Sequence, residues 1–223
     1  SRPAAFDISA GCAGFGYGLT LAKGMVVEGS AEYVLVIGVE RLSDLTDLED
    51  RATAFLFGDG AGAVVVGPAK EPMIGPTVWG SEGDKSDTIK QTVPWDAYRD
   101  GTVEKFPAIT QEGQAVFRWA VFEMAKVAQQ ALDAAGISSA DLDVFIPHQA
   151  NMRIIDSMVK TLKLPEHVTV ARDVETTGNT SAASIPLAME RLLATGQAKS
   201  GDTALVIGFG AGLAYAATVV TRP

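Results

Sequence analysis

The sequence predicts a layered α/β fold, and three observations support this. Short apolar runs alternate with longer segments that have helical periodicity, as in folds that stack helices on sheets. Glycine accounts for 23 of the 223 residues, and many glycines lie beside the apolar runs, where tight turns are expected. The composition is 47% hydrophobic, which suits one compact unit or two closely joined halves.

The first half opens beside an apparent strand and continues through a long irregular stretch. Its predicted elements are the end of a buried strand at 6–9, a helix rich in small residues at 14–27, a strand covered on both faces at 33–39, an antiparallel hairpin of strands at 52–57 and 62–67, and an irregular excursion at 72–107.

The second half begins near Gln111 and alternates helix and strand. Its predicted elements are a long helix at 113–135 ended by Gly136, a strand at 144–147, an amphipathic helix at 151–162, a strand at 168–171, a helix at 181–194, and strands at 204–208 and 213–220.

A weak internal repeat relates the two halves. A loop residue, a helix and two strands follow one another after Cys12 and again after Asn179. We therefore predict two halves, 1–110 and 111–223, of one duplicated design. The second half has a helix, strand, helix and strand ahead of Asn179, whereas few residues precede Cys12. We expect roughly 70–100 further residues upstream, on the assumption that the halves are alike.

Composition excludes several classes of function. The chain has one cysteine, so it has no internal disulfide framework and no thiolate-rich metal site, and with two histidines a zinc site is not expected. The net charge of −9 disfavours general nucleic-acid binding. No apolar run approaches the roughly 18 residues that span a bilayer, and no signal peptide is visible. We expect a cytoplasmic protein that binds neither membrane nor nucleic acid and needs no metal or other cofactor.

Cys12 lies between the predicted strand at 6–9 and the helix that follows it. A helix N-terminus presents free N–H groups and a positive dipole end, which lower the pKa of a thiol and favour the reactive thiolate. The small neighbours Gly11, Ala13 and Gly14 leave room for a substrate. Cys12 is therefore a candidate nucleophile, and the alternative is a buried cysteine that acts as a small packing residue.

Two further polar residues, His148 and Asn179, lie at the ends of predicted elements. His148 lies at the carboxyl end of the strand at 144–147, the edge where open α/β sheets bind ligands. A structural histidine is the alternative. Asn179 precedes the helix at 181–194, where a turn or N-cap role is the more common one for asparagine taken alone. His167 lies in a turn and is expected at the surface.

Two glycine-rich segments have different expected roles. The segment GDGAGA, residues 58–63, fits a dinucleotide-binding pattern, but a strand rather than a helix follows it, so we exclude a nicotinamide site. The segment GFGAG, residues 208–212, also leads into a strand and is expected to form a tight loop that offers backbone N–H groups.

Five segments together carry a family resemblance. GCAGF, FGDGAGA, PHQANMRII, GNTSAAS and GFGAG occur in the order found in β-ketoacyl-acyl-carrier-protein synthase III, one of the thiolase-like condensing enzymes. The resemblance implies a five-layered αβαβα fold of two duplicated halves, with the opening elements of the first half missing from this chain. It also implies a homodimer and an acyltransferase activity that begins fatty-acid synthesis.

The resemblance implies a mechanism for Cys12, His148 and Asn179. Cys12 would take an acyl group from acyl-CoA, with the backbone N–H groups of Cys12 and Ala211 as an oxyanion hole. Malonyl-acyl-carrier protein would then lose carbon dioxide. His148 and Asn179 would donate hydrogen bonds to the thioester enolate, which would attack the acyl-Cys12 thioester.

Other positions correspond to binding residues of that family. Arg51 corresponds to a contact with the nucleotide end of CoA, Asn151 to a contact near the pantetheine arm, and Phe209 to a residue that shields the site. A further set is expected to dock the acidic carrier protein, the alternative being an ordinary solvated helix face. This set comprises Arg153, Lys160 and Lys163.

Three other functions stay open from the sequence. A papain-like protease has the same order of Cys, His and Asn, but the sequence around Cys12 lacks the flank typical of that family. A related thiolase-fold enzyme could prime polyketide synthesis or transfer acyl groups to oxygen or nitrogen. A non-catalytic scaffold is disfavoured because all three catalytic residues are present.

Overall fold

A computed structural model describes residues 2–221 and contains nine strands and six helices within them. The strands are β1 (Val34–Arg41), β2 (Asp59–Val66), β3 (Ile74–Ser81), β4 (Ile89–Gln91), β5 (Ile109–Gln111), β6 (Val144–Pro147), β7 (Thr169–Val170), β8 (Thr203–Gly210) and β9 (Ala214–Thr221). The helices are α1 (Gly14–Glu28), α2 (Trp95–Arg99), α3 (Gly113–Ala135), α4 (Met152–Leu162), α5 (Val174–Thr177) and α6 (Ser184–Ala194).

The main sheet has five strands in the order β3-β9-β8-β6-β7. Strands β8, β6 and β7 run parallel, and β9 is antiparallel to both β8 and β3. A second sheet consists of β1 and β2 in antiparallel register, and β4 pairs with β5 in a small ribbon. The parallel strands bring the carboxyl ends of β6 and β8 to one edge of the main sheet, where ligand sites of α/β folds form.

The elements stack in four layers. Helices α3 and α4 contact each other, and α3 covers one face of the main sheet. Helices α1 and α6 lie on the other face, between the main sheet and the sheet of β1 and β2. Burial of apolar side chains on both faces of the main sheet supplies most of the stabilisation of such an arrangement.

Helix ends follow the signals that the sequence predicts. Helix α3 ends at Gly136, whose φ of 71° is the left-handed conformation that glycine adopts without steric cost. Helix α4 begins after Asn151, whose side-chain Oδ1 accepts a hydrogen bond from the Ile154 N–H at 3.0 Å. The predictions for residues 113–135, 144–147 and 151–162 are confirmed within one residue.

The outer face of β1 is exposed, contrary to the expectation of a strand covered on both faces. Leu35, Ile37 and Val39 alternate along this face and are 59%, 58% and 65% exposed. The inner face of β1 packs on α1, with Val36 buried. The described residues therefore provide four of the five predicted layers, and none of them covers this outer face.

Three other predictions for the first half are wrong. Residues 6–9 form no strand, because no segment within residues 2–221 pairs with them, and Phe6 is 65% exposed. Residues 52–57 form turns, and β2 pairs with β1 instead of forming the predicted hairpin. The stretch 72–107 contains β3, a full strand of the main sheet, because its mixed glycine, proline and polar composition hides the strand pattern.

The pairing of β3 with β9 concerns the position of the boundary between the two predicted halves. The division at residue 110 stays a prediction, but β3 belongs by pairing to the sheet of the second half. This pairing favours a boundary before Ile74. Within residues 2–221, none of the helices is long and apolar enough to cross a membrane.

Candidate active site

Four segments of the chain converge at one edge of the main sheet. They are the tight turn Gly11–Ala13 ahead of α1, the residue after β6, the end of β8, and the segment between α5 and α6. The turn Gly11–Ala13 contacts both β8 and the 3-10 turn Ser181–Ala183. The candidate residues Cys12, His148 and Asn179 lie on these segments.

Close backbone contact places Cys12 against the end of β8. A Cβ atom built on Gly210 would lie 2.8 Å from the Cys12 Sγ and 2.7 Å from its Cβ, so only glycine fits at this position. Gly11 has a φ of 50°, which turns the chain into the site with little steric cost for a residue without a Cβ. These two glycines explain the segments GCAGF and GFGAG as the two sides of one contact.

The thiol of Cys12 is not the low-pKa group that the sequence predicts. Burial raises the pKa of Cys12 to about 11, and the Glu40 carboxylate adds to this effect. A hydrogen bond from the Ser181 side chain and the backbone N–H groups of Cys12 and Ala211 lower the pKa, but by less than burial raises it. The expected helix-terminus effect is outweighed because a desolvated thiolate is costly.

The two backbone groups that favour the Cys12 thiolate are those expected to form an oxyanion hole. The N–H groups of Cys12 and Ala211 both point at the space around Sγ. Donors in this position are placed to stabilise negative charge on the sulfur or on a thioester oxygen bonded to its acyl carbon.

His148 is buried and neutral. Its backbone N–H donates to the Ile207 carbonyl at 2.7 Å, which holds it at the ends of β6 and β8. Its ring packs edge-on against Phe209, with centroids 5.3 Å apart, and its Nδ1 lies 2.8 Å from the Ser184 Oγ. Burial lowers the pKa of His148 to about 3, so the ring carries no charge at neutral pH.

Asn179 is buried and has a defined orientation. Its backbone N–H donates to the Leu56 carbonyl at 2.9 Å, and its carbonyl accepts from the Gly58 N–H at 3.0 Å. Its side-chain Oδ1 accepts from the Ser181 N–H at 2.9 Å. Because the oxygen is used in this way, the amide NH2 is the part of the Asn179 side chain that is left to donate to a ligand.

The residues expected to bind CoA and the pantetheine arm lie around this site. Arg51 is exposed in the turns ahead of Phe57, and that segment pairs with Asn179. Asn151 uses its Oδ1 as the N-cap of α4, which leaves its amide NH2 for a ligand. Phe209 is buried between His148 and Trp119, with the Trp119 ring 6.2 Å away, so it forms an apolar wall beside His148.

The three basic residues expected to dock a carrier protein are all exposed. Arg153 and Lys160 are seven residues apart on α4, which places them on the same side of the helix. The Arg153 guanidinium lies 5.4 Å from the centroid of the Phe117 ring. Lys163 is the left-handed C-cap residue, with a φ of 51°, so it lies at the end of the helix rather than on its face.

Sequence reasoning missed three polar residues that hold the site together. Ser181 contacts Cys12, and Ser184 contacts His148. Gln149 is fully buried, and its side chain bonds the carbonyls of Pro147 and Ala171 and the N–H of Val174. All three lie inside the segments PHQAN and GNTSAAS, so the segments that predict His148 and Asn179 also contain the signal for these residues. His167 is exposed, as expected.

Within residues 2–221, no group of three or more His, Cys, Asp and Glu side chains is placed to hold a metal ion. The segment GDGAGA lies largely within β2 and pairs with β1, whereas the sequence placed most of it between two strands. The chemical groups gathered at the site are therefore a thiol, a neutral imidazole, an amide and backbone N–H groups.

Comparison with known proteins gives matches along most of the chain. Residues 6–83 match the family model 3-Oxoacyl-[acyl-carrier-protein (ACP)] synthase III, and residues 132–222 match the model of its C-terminal part. A Beta-ketoacyl-[acyl-carrier-protein] synthase III of Streptomyces glaucescens is 89% identical over 223 residues, which is 100% of this chain and 67% of the relative. The chain thus spans about two thirds of the length of that relative.

Solved structures share the architecture. The priming β-ketosynthase of the R1128 polyketide biosynthetic pathway has a TM-score of 0.95 and 49% identity, over 98% of this chain and 65% of that one. The β-ketoacyl-acyl-carrier-protein synthase III of Thermus thermophilus has a TM-score of 0.88 and 41% identity, over 98% of this chain and 68% of that one. The predicted thiolase-like fold is confirmed.

The fold and the site define a condensing enzyme of the thiolase-like class. The family model and the relative that is 89% identical over the whole chain identify one family within this class. The chain belongs to the β-ketoacyl-acyl-carrier-protein synthase III family, whose members are condensing acyltransferases.

The raised pKa of Cys12 predicts a distinctive pH profile of alkylation. The rate with iodoacetamide is expected to keep rising with pH towards about 11, because the thiol form is favoured until the pH approaches its pKa. The measurement is peptide-level mass spectrometry of Cys12, with glutathione as the unburied thiol control. Ser181→Ala is expected to move the profile to still higher pH. A plateau near neutral pH would contradict the account.

Proposed function

We propose that the complete protein condenses an acyl group from acyl-CoA with malonyl-acyl-carrier protein to give 3-ketoacyl-acyl-carrier protein. The single observation that carries this proposal is the pair of oriented donors beside the nucleophile. The ring of His148 is neutral, and the Asn179 side chain has only its NH2 left to donate. Two neutral donors suit an enolate intermediate, which needs stabilisation without a proton being removed.

The first half-reaction would load Cys12. Its sulfur attacks the thioester carbon of acyl-CoA, and the backbone N–H groups of Cys12 and Ala211 stabilise the oxyanion. The bond to the CoA sulfur then breaks. The proton lost by the Cys12 thiol balances the CoA thiolate that leaves, so the products are acyl-Cys12 and free CoA thiol.

The second half-reaction would consume the malonyl group. Its carboxylate leaves as carbon dioxide, and the electron pair of that bond forms a thioester enolate whose oxygen accepts hydrogen bonds from His148 and Asn179. The enolate carbon attacks the acyl-Cys12 carbonyl, and the Cys12 sulfur departs. With a pKa of about 11, the departing thiolate takes up one proton from the medium, which returns the enzyme to its starting state.

Phe209 has a supporting part in this scheme. Its ring packs edge-on against His148 and gives the site an apolar wall. Low polarity beside a carboxylate favours loss of its charge as carbon dioxide, and it also strengthens the hydrogen bonds to the enolate.

The proposal also covers the contacts of acyl-CoA, the assembly of the protein, its location and its need for cofactors. Acyl-CoA enters past Arg51, whose charge suits the CoA phosphates, and Asn151 contacts the pantetheine arm. The protein works as a homodimer in the cytoplasm. It needs no metal or other cofactor, because acyl-CoA is a substrate and the scheme uses only side chains and backbone groups.

Priming of polyketide synthesis is the second candidate function. It is favoured by one observation, the TM-score of 0.95 with a ketosynthase whose structure is described as priming the R1128 polyketide pathway. The family named by the relatives favours fatty-acid synthesis. Turnover of the complete enzyme with acyl carrier proteins of the two kinds would separate these functions.

The two half-reactions are expected to separate by mutation in the complete enzyme. Cys12→Ala should abolish acyl-enzyme formation from acyl-CoA, because no sulfur remains to be acylated. His148→Ala and Asn179→Ala should still form acyl-Cys12 but lose condensation by about 100-fold or more, because each removes a donor to the enolate. Intact-protein mass spectrometry and product formation measure the two steps.

A matched histidine control is available for this experiment. His167 is exposed and remote from the catalytic segments, so His167→Ala should keep both half-reactions. Condensation that persists in His148→Ala and Asn179→Ala, or an acyl group that never appears on Cys12, would contradict the proposed function.

The carrier-protein surface is tested by reversal of one charge. Lys160→Glu is expected to raise the KM for malonyl-acyl-carrier protein by about 3- to 10-fold, because a rim charge steers an acidic partner. The KM for acyl-CoA should not change. Lys199→Glu is the matched control, since Lys199 is also exposed but lies near the start of β8. Equal effects of the two substitutions would argue against docking at α4.

A further inference from the structure

Ser184 contacts one of the two ring nitrogens of His148, Nδ1. The Ser184 Oγ lies 2.8 Å from the Nδ1 of His148, and both side chains are buried. Ser184 is the first residue of α6, so the helix holds its side chain in place. The other ring nitrogen, Nε2, makes no hydrogen bond with residues 2–221 and is available to a substrate.

A second contact decides which atom donates in this pair. The Gln149 backbone N–H donates to the same Ser184 Oγ at 3.2 Å. A hydroxyl group has one proton to donate and two lone pairs to accept with. The Gln149 N–H therefore occupies one lone pair of Ser184.

Only one assignment of protons pairs all three groups that meet at the Ser184 Oγ. If the His148 Nδ1 carried the proton, it would fill the second lone pair, and the Ser184 O–H would have no acceptor among residues 2–221. A buried hydroxyl without an acceptor is costly. If the Ser184 O–H donates to Nδ1, the proton of the neutral ring is on Nε2 and all three groups are paired.

We propose that Ser184 is a positioning residue that holds His148 in the tautomer with its proton on Nε2. This inference rests on the proposed function and deepens it. In this tautomer His148 offers a donor to the enolate oxygen. In the other tautomer Nε2 would present a lone pair to the negative enolate oxygen, and this contact is repulsive. Ser184 thereby determines whether His148 can act as a donor.

The first test reads the tautomer directly and does not depend on activity. Nitrogen-15 NMR of histidine-labelled complete protein is expected to show a protonated Nε2 and an unprotonated Nδ1 for His148. The His148 signals are assigned by their loss in His148→Ala. In Ser184→Ala the two tautomers should become mixed, whereas the His167 signals should not move.

The second test separates the two half-reactions. Ser184→Ala is expected to lower the kcat of condensation by about tenfold, less than the hundredfold effect of losing a whole donor. The rate of Cys12 acylation and the KM for malonyl-acyl-carrier protein should stay unchanged. Ser184→Thr retains a hydroxyl and should restore the tautomer and most of the condensation rate. Ser200→Ala makes the same chemical change at an exposed turn residue ahead of β8 and is the matched control.

The outcomes distinguish this inference from the proposed function. A protonated Nδ1 on His148 in the unmodified protein would overturn the inference, even if Ser184→Ala does not fold. An unchanged tautomer and condensation rate in folded Ser184→Ala would also overturn it. A protonated Nε2 in a protein that never condenses malonyl-acyl-carrier protein would support the tautomer assignment but refute the proposed function.

Discussion

The chemistry of this site depends on the desolvation of two side chains, Cys12 and His148. Burial acts on the two residues in opposite senses, raising the pKa of the thiol to about 11 and lowering that of the imidazole to about 3. Both residues are therefore uncharged at neutral pH. A charge that develops during the reaction is met by fixed hydrogen-bond donors rather than by solvent, which is how a buried site stabilises an enolate or an oxyanion.

Close packing produces this desolvation. The end of β8 lies against Cys12, where Gly210 leaves no room for a side chain. Phe209 on the same strand covers His148, and Ser184 at the start of α6 fixes the ring from behind. Because Ser184 belongs to α6, the helix layer between the two sheets is part of the catalytic arrangement as well as of the core.

The sequence predicted the second half of the fold better than the first. Helix α3 and strand β6 carry strong periodic or apolar patterns with clear ends, so their bounds were correct. Strand β3 was missed because its sequence IGPTVWGS mixes glycine, proline and polar residues, and its pairing with β9 is long-range. The prediction that both faces of β1 are covered was wrong for the outer face. An apolar run shows that a strand is suited to burial, but it does not show which segments pack against it.

Prediction from the sequence was incomplete for the candidate site in the same way. Cys12, His148 and Asn179 were found from motifs, but a motif does not measure desolvation, so the thiol was expected to have a low pKa and has a high one. The role of Ser184 needed an interatomic distance and a count of hydrogen-bond donors, neither of which the sequence provides.

The most direct test of the account is the pH dependence of malonyl-acyl-carrier-protein decarboxylation by a Cys12→Gln form of the complete enzyme. This form lacks the Cys12 thiol but keeps His148 and Asn179, so its decarboxylation rate depends on these two donors and not on the nucleophile. If His148 acts as a neutral donor with a pKa of about 3, the rate stays constant from about pH 5.5 to about pH 8.5. A rate that falls as the pH rises through about 6.5 would show that a charged imidazole is required, and it would contradict the account.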